Sequence, residues 1–230
     1  MKQLLQSLKD GTTEVVDVPA PSKLIGQNLI QTTVSLVSAG TERMLVQFGK
    51  NNFIQKARSQ PDKVKMVLEK AKTDGVSATL DAVRSKLDQP LALGYCNVGR
   101  IIEACDNTFA VGDRVVSNGK HAEIVAVGKN LCAKIPDNVS HEAATFTVLG
   151  SIGLQGIRLA QPTLGETVVV IGLGLIGLLT VQMLLAQGCR VLGIDVDPKR
   201  LELAKLYGAE IANPNYGENL VDKAKAFSGG

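Results

Sequence analysis

The residues with the clearest chemical pattern are three glycines in the last third of the chain. Gly172, Gly174 and Gly177 form Gly-x-Gly-x-x-Gly directly after a run of β-branched residues and before an apolar helical pattern. In that context the first glycine makes a tight turn, the second lets the backbone approach a diphosphate, and the third lets helix and strand pack closely. The start of the helix would offer its free N–H groups to the phosphates. The predicted dinucleotide site comprises Gly172, Leu173, Gly174, Leu175, Ile176 and Gly177.

An acidic residue follows at the spacing that such a site requires. Asp195 ends the next predicted strand, eighteen residues after Gly177. A carboxylate there would accept hydrogen bonds from the adenosine ribose and would repel a 2′-phosphate. We therefore favour NAD as the cofactor, with NADP as the alternative because the cationic Arg200 follows closely. A glycine-rich turn that binds no ligand is the competing interpretation.

The segments around this motif alternate between strand and helix patterns, which indicates a parallel sheet. The nineteen-residue uncharged run 168–186 is long enough to span a membrane. However, its order of β-branched residues, glycines and apolar residues is typical of a strand, a turn and a buried helix, so we expect no membrane span. We predict strands at 167–171, 190–195 and 210–212, and helices at 174–186 and 198–206.

The earlier part of the chain has a different pattern, in which short strands dominate. Residues 1–48 are expected to form strands only, and apolar residues at helical spacing predict a helical hairpin inserted near 51–90. Ser140 is placed to cap a helix over 143–149. We place a domain boundary near residue 160, giving domains 1–160 and 161–230. The predicted strands are 13–18, 29–37, 99–103, 114–117 and 122–127.

Composition limits the classes of partner. The formal charge of +3 is too small to indicate nucleic acid or an anionic membrane as a partner. The expected partner is a small-molecule substrate, as the resemblance described below implies. Residues 50–88 contain nine basic and five acidic side chains, a local excess of four, which suits a solvated face or, alternatively, a docking surface for an anionic partner. Four cysteines without a Cys-x-x-Cys pair, and no secretory signal, favour the cytoplasm.

Several stretches resemble the medium-chain dehydrogenase/reductase superfamily, the relatives of zinc alcohol dehydrogenase. The resemblance is carried by VGDRVVSNGKHAEIVAV (111–127), KIPDNVSHEAATF (134–146), and the glycine motif through VLGIDVDPKRLELAKLYGAE (191–210). It implies an α/β chain with a β-rich part: a GroES-like β-barrel catalytic domain, then a Rossmann domain. Only the first half of the Rossmann sheet fits before residue 230.

A narrower resemblance is to the bi-domain oxidoreductases. It rests on SAGTER (38–43), the helical hairpin, and RSKLDQPLALGYCNVG (84–99). In that subgroup a Gfo/Idh/MocA-like domain follows in the same polypeptide, and the proteins are associated with bacterial surface polysaccharide synthesis. The resemblance implies a sugar or sugar-nucleotide substrate, a C-terminal fusion partner beyond residue 230, and compatibility with a homo-oligomer.

The catalytic zinc ligands of the resembling enzymes are not matched here. Ala39 stands in place of the first cysteine, Tyr95 in place of the histidine, and Ser151 lies near the third ligand position. Catalytic zinc needs about three protein ligands and an open position, so we expect no zinc. Cys96 is interpreted as a small residue that fills a turn, with a reactive thiol as the alternative.

Without a metal, hydroxyl groups would have to stabilise the substrate oxygen. The resemblance puts Thr41 at the family's proton-relay position and Tyr95 where the histidine ligand enters, and we hypothesise that Ser38 or Ser151 assists them. Tyr95 alternatively only fills the vacated metal hole. His121 and His141 are near-site bases or structural residues. Three functions remain: a zinc-independent NAD(P)-dependent oxidoreductase, a quinone or enone reductase, or an inactive cofactor-binding scaffold.

Overall fold

The computed structural model describes residues 1–22, 24–59 and 61–230, and it contains two compact units. The first unit is Met1–Thr145 and the second is Phe146–Gly230. Among the described residues, every helix is too short or too polar to cross a membrane.

The first unit is built on two antiparallel sheets. The smaller one has the order β2-β1-β4, and the larger one has the order β7-β3-β5-β6-β8. Ile30, Ile101 and Val115 are fully buried in the core of the larger sheet. The strands are β1 (Lys2–Gln6), β2 (Thr13–Asp17), β3 (Gln27–Ser35), β4 (Leu91–Ala92), β5 (Asn97–Glu103), β6 (Arg114–Ser117), β7 (Ile124–Gly128) and β8 (Cys132–Lys134).

Helices interrupt this sheet architecture between β3 and β4. The last two of these helices, Pro61–Asp74 and Val76–Asp88, confirm the predicted hairpin. Gln60, which precedes it, lies outside the described residues. The helices are α1 (Ala39–Lys50), α2 (Phe53–Ser59), α3 (Pro61–Asp74) and α4 (Val76–Asp88).

The prediction that residues 1–48 form only strands is wrong, because α1 begins at Ala39. The inner face of α1 combines the buried carboxylate of Glu42 with the half-buried Leu45, Val46 and Phe48, and the acid interrupts the apolar pattern by which a helix is recognised in a sequence. Long-range contacts hold it: the side-chain amide of Gln6 donates to the carbonyl of Leu45 at 2.7 Å.

The second unit is a three-stranded parallel sheet with helices, in the order β11-β10-β9. The strands and helices predicted between 167 and 212 are present, and the prediction missed the last helix and all but the first turn of the helix at Thr147–Ala160. Ile171 in the edge strand β9 is 81% exposed, although its apolar run suggested a fully buried strand. The elements are α5 (His141–Ala144, in the first unit), α6 (Thr147–Ala160), β9 (Thr167–Ile171), α7 (Leu175–Ala186), β10 (Arg190–Ile194), α8 (Pro198–Leu206), β11 (Glu210–Ala212) and α9 (Leu220–Ser228).

The compact units divide after Thr145, earlier than the predicted boundary near residue 160. The reason is that α6 packs against α7. The two helices approach closely at Gly153, where a Cβ atom would lie 2.6 Å from the hydroxyl of Thr180. Ser140 caps α5 as predicted, since its hydroxyl accepts the backbone N–H of Ala143 at 3.1 Å.

Candidate functional site

The glycine motif forms the turn between β9 and α7. Gly172 has φ +89°, a left-handed conformation that favours glycine. Gly177 lies so close to this turn that a Cβ atom would be 1.9 Å from the carbonyl oxygen of Gly172. Two of the three glycines are therefore required by the backbone itself.

Gly174 is different, because open space surrounds it. It is the N-cap of α7 and contributes no side-chain cap, and a Cβ atom there would meet nothing within 4 Å. The first N–H groups of a helix have no partner within the helix, and the helix dipole adds positive potential. This turn has the space and the donors that a diphosphate needs.

Asp195 joins the end of β10 to the glycine turn. One carboxylate oxygen accepts the N–H of Leu173 at 2.6 Å, and the other accepts the N–H of Asp197 at 2.8 Å. Burial opposes the charge, but these backbone hydrogen bonds and the guanidinium of Arg200 outweigh it and lower the pKa of Asp195. A carboxylate has about four acceptor positions, so capacity for a ribose hydroxyl remains.

Arg200 is held beside two acidic residues. Its Nη1 lies 3.6 Å from Oδ2 of Asp195, and its Nε lies 3.5 Å from Oδ2 of Asp197. The guanidinium charge is therefore offset by two carboxylates.

In the first unit, three of the predicted catalytic residues come together. We call Ser38, Thr41 and Tyr95 the hydroxyl cluster. The phenol of Tyr95 donates to Oγ of Ser38 at 2.7 Å and lies 3.4 Å from Oγ1 of Thr41. Ser38 precedes α1 and Thr41 is in its first turn, whereas Tyr95 lies in the segment between β4 and β5.

The members of the hydroxyl cluster differ in exposure. Ser38 is only 6% exposed, Tyr95 is half-buried and Thr41 is exposed. Thr41 and Tyr95 are therefore more accessible to a small molecule than Ser38 is.

A buried acid–histidine pair lies against this cluster. Nε2 of His121 is 3.0 Å from Oε2 of Glu42, and Nδ1 is 2.7 Å from Oγ of Ser35. Sequence reasoning missed Glu42 and gave His121 only a general role. No standard local signal marked Glu42, because it lies four residues after the N-cap Ser38, one position beyond the acid of a capping box.

The remaining predicted residues lie elsewhere. Ser151 is exposed on α6 in the second unit, where its hydroxyl donates to the carbonyl of Val148 at 2.7 Å, so its place in a catalytic site stays a prediction. His141 accepts a hydrogen bond from Nε of Arg114 at 2.9 Å, and burial together with that guanidinium lowers its pKa. These contacts favour the structural interpretation of His141.

Cys96 is fully buried beside the hydroxyl cluster. Burial, with a smaller contribution from the Glu42 carboxylate, raises the pKa of its thiol to about 11. Since the thiolate is the nucleophilic form, this environment argues for a residue that fills the turn and against a reactive thiol.

The residues present do not fit the catalytic zinc of the resembling enzymes. Within residues 1–22, 24–59 and 61–230, no three His, Cys, Asp or Glu side chains are grouped as metal ligands. Both ring nitrogens of His121 already have hydrogen-bond partners, and the Cys96 thiol favours its protonated form.

Sequence relatives of the chain are alcohol and polyol dehydrogenases. The D-guloside 3-dehydrogenase of Escherichia coli (strain K12) is 32% identical over 143 residues, 60% of this chain and 41% of that protein. The (R,R)-butanediol dehydrogenase of Bacillus subtilis (strain 168) is 25% identical over 171 residues, 61% of this chain and 49% of that protein. The chain thus spans no more than about half the length of these curated relatives. No protein-family model matches it.

Solved structures of similar fold cover the whole chain. Alcohol dehydrogenase TADH from Thermus sp. ATN1 has a TM-score of 0.76 at 21% identity, over 100% of this chain and 67% of that one. The quinone oxidoreductase of Thermus thermophilus, which was also solved with NADPH, has a TM-score of 0.67 at 24% identity, over 99% and 63%. Sequence and fold similarity together support the assignment of this chain to the medium-chain dehydrogenase/reductase superfamily, with a GroES-like domain followed by a Rossmann-type domain.

Proposed function

We propose that this chain provides the substrate-binding hydroxyls and the adenine-side cofactor site of a zinc-independent, NAD(P)-dependent oxidoreductase. The reaction would interconvert an alcohol and a carbonyl. The observation that carries the proposal is the hydroxyl cluster itself, in which the phenol of Tyr95 contacts the hydroxyls of Ser38 and Thr41.

The second unit would hold the cofactor. The backbone of residues 172–177 suits the diphosphate, and Asp195 suits the adenosine ribose. We propose NAD rather than NADP, because the Asp195 carboxylate is anionic and the Arg200 charge is offset by two acids. When bound, the cofactor would supply the hydride chemistry of the reaction.

The hydroxyl cluster would stabilise the negative charge that develops on the substrate oxygen. Because Tyr95 donates its proton to Ser38, the Ser38 and Thr41 hydroxyls each keep a proton that they can donate in turn. Of the three residues only Thr41 and Tyr95 are accessible, so we assign the Thr41 hydroxyl as the direct donor to the substrate oxygen. Tyr95, whose hydroxyl lies 3.4 Å from that of Thr41, is assigned as the group that polarises it. A single well-placed donor contributes about 3 kcal/mol to a transition state.

For the substrate, we propose a hydroxyl or carbonyl group of a sugar or a sugar nucleotide. The resemblance to bi-domain oxidoreductases supports this choice, as does similarity to a protein named D-guloside 3-dehydrogenase. The four cysteines are all free, and we propose the reducing cytoplasm as the compartment.

A quinone or enone reductase is the second candidate. It is favoured by the absence of a fitting metal-ligand group among the described residues and by fold similarity to a quinone oxidoreductase. An inactive scaffold that only binds the cofactor is the third, since all of the proposed binding residues would remain in such a protein.

The test uses the protein that carries this chain. NADH and NADPH are titrated by nucleotide fluorescence, and turnover is then screened with sugar alcohols, nucleotide sugars and benzoquinone. We expect tighter binding of NADH and turnover of a sugar substrate. Turnover of benzoquinone alone would favour the reductase, binding without turnover would favour the scaffold, and failure to bind either nucleotide would refute the oxidoreductase proposal.

A further inference from the structure

Three segments of the first unit that form or adjoin the hydroxyl cluster meet at one histidine. His121 is buried, and its backbone N–H donates to the carbonyl of Leu93 at 2.9 Å, directly before the turn that carries Tyr95. Its ring reaches Glu42 on α1 through Nε2 and Ser35 at the end of β3 through Nδ1. His121 thus connects the helix that carries Thr41 with the turn that carries Tyr95.

Glu42 extends this connection to the third member of the cluster. While one carboxylate oxygen faces His121, the other accepts the backbone N–H of Ser38 at 2.9 Å. A carboxylate accepts hydrogen bonds but does not donate them, so Nε2 of His121 carries the proton in this contact. Glu42 and His121 therefore share one hydrogen bond while each holds a different segment of the cluster.

The histidine also touches the Tyr95 turn directly. Gly94 has φ +93°, and a Cβ atom there would lie 2.6 Å from the backbone nitrogen of His121 and 2.7 Å from its ring. No side chain fits between the turn and the imidazole. The position of the residue after Gly94, which is Tyr95, is consequently set by this contact.

The same contacts show that His121 is not the base for Tyr95. Ser38 accepts the phenol proton at its hydroxyl but contacts Glu42 through its backbone N–H. A proton cannot pass from the hydroxyl to the amide nitrogen of one residue by hydrogen-bond exchange. The pair is linked to the phenol by geometry and not by a proton wire.

We propose that His121, with Glu42, is a positioning residue that sets the place of the Tyr95 hydroxyl relative to Ser38 and Thr41. This inference rests on the proposed function, in which the hydroxyl cluster holds the substrate oxygen.

The amino-acid composition makes a direct test simple. The chain contains three tyrosines and no tryptophan. In protein labelled with ¹³C at the tyrosine ring, the carbon that bears the hydroxyl gives one signal for each tyrosine, among them Tyr95, Tyr207 and Tyr216, and replacement of each of these three by Phe identifies its signal. The chemical shift of that carbon reports the hydrogen bond of the phenol.

We expect His121→Ala to move the Tyr95 signal in the same direction as Ser38→Ala, which removes the acceptor itself, while Tyr207 and Tyr216 keep their positions. His121→Gln should restore the signal, because its amide N–H can still donate to Glu42. The matched control is His141→Gln, which changes the other histidine of the chain and should move none of the three signals. In turnover assays with the substrate found by the screen, kcat of His121→Ala should fall about tenfold or more with little change in KM.

The readout needs neither cofactor nor substrate, so it separates this inference from the proposed function. If His121→Ala and Glu42→Gln both leave the Tyr95 signal at its parental position, the positioning role is refuted. If His121→Ala does not fold, so that all three signals change, the signals of His121→Gln and Glu42→Gln decide: a restored signal in the first and a moved one in the second support the role, and the reverse overturns it. A moved signal combined with an unimpaired Tyr95→Phe enzyme would retain the positioning role and refute the catalytic one.

Discussion

A phenol that donates its proton to a neighbouring serine is a different device from a metal ion. A metal polarises the substrate oxygen by its charge, whereas the hydroxyl cluster offers directional donors of no net charge. The depth of Ser38 and the accessibility of Thr41 suit a polar substrate group that approaches from the side of α1.

Replacing Tyr95 by Phe tests this device. The change removes one hydroxyl and keeps the ring, so we expect kcat to fall about 100-fold while cofactor affinity is unchanged. Steady-state kinetics with the substrate found by screening measures the effect. Tyr207→Phe, in the second unit, is the matched control, and equal rates in the two variants would remove Tyr95 from the mechanism.

Replacing Asp195 by Asn tests the cofactor preference. The variant keeps a side-chain oxygen for the N–H of Leu173 but loses the charge that repels a 2′-phosphate. We expect the ratio of the NADPH and NADH dissociation constants to shift toward NADPH by about tenfold, or about 1.4 kcal/mol. Asp197→Asn, which changes the other carboxylate near Arg200, should shift the ratio less.

At the scale of single residues, the sequence predicted which side chains belong to the candidate site better than it predicted which side chains contact one another. The sequence groups Thr41 and Tyr95 with Ser38 or Ser151 as their helper; in the structure Tyr95 contacts Ser38 and Thr41, whereas the Ser151 hydroxyl bonds to Val148 of its own helix. Glu42 was missed because its importance lies in contacts with His121, far away in the chain. No local pattern encodes a hydrogen bond between two such distant positions.

At the scale of elements, strands and helices were predictable where local and tertiary preferences agree. In the second unit, β9, α8 and β11 begin and end at the predicted residues, since glycine, proline and apolar runs mark their ends. The helix α1 was not predictable in this way, because it is stabilised by a buried carboxylate and by Gln6 of a distant strand.

Gly177→Ala tests the approach of α7 to the turn after β9. The added methyl would overlap the carbonyl of Gly172, so the turn must open or the helix must move. We expect a loss of about 2 kcal/mol and a Tm lower by about 5 °C, with weaker NADH binding. Differential scanning calorimetry measures the change.

The control for this variant is Gly156→Ala in α6. A Cβ atom at Gly156 meets nothing within 4 Å, so the helix should gain about 0.5–1 kcal/mol from the better helix former. Equal stability of the two variants would contradict the close packing inferred at Gly177.

At the scale of the whole molecule, mild acid should destabilise the fold through His141. Burial and the guanidinium of Arg114 lower the pKa of His141 in the folded state. The unfolded chain then binds a proton to His141 more readily than the folded chain does. The contribution of His141 to the free energy of unfolding is therefore fully present above its ordinary pKa of about 6.5, and it is lost as the pH falls from there through the lowered pKa of the folded state. Carboxylates with lowered pKa, including Asp195, would add their loss only at a lower pH, near or below about 4.

Thermal unfolding at pH 7 and pH 5 measures this effect. We expect the decrease in Tm between these values to be smaller in His141→Gln, because the amide can accept from Arg114 but does not titrate. An identical decrease in both proteins would assign the acid sensitivity to other groups.

The exposed helical hairpin, formed by α3 and α4, is a suitable place to attach labels to this protein. No side chain described in α3 is buried, and in α4 only Thr79 is. Fluorophores or affinity tags grafted at such positions would leave the hydroxyl cluster and the glycine turn intact. The apolar side chains of Met66 and Leu68, which are 67% and 60% exposed, can be replaced by glutamine to improve solubility at the concentrations that crystallisation requires.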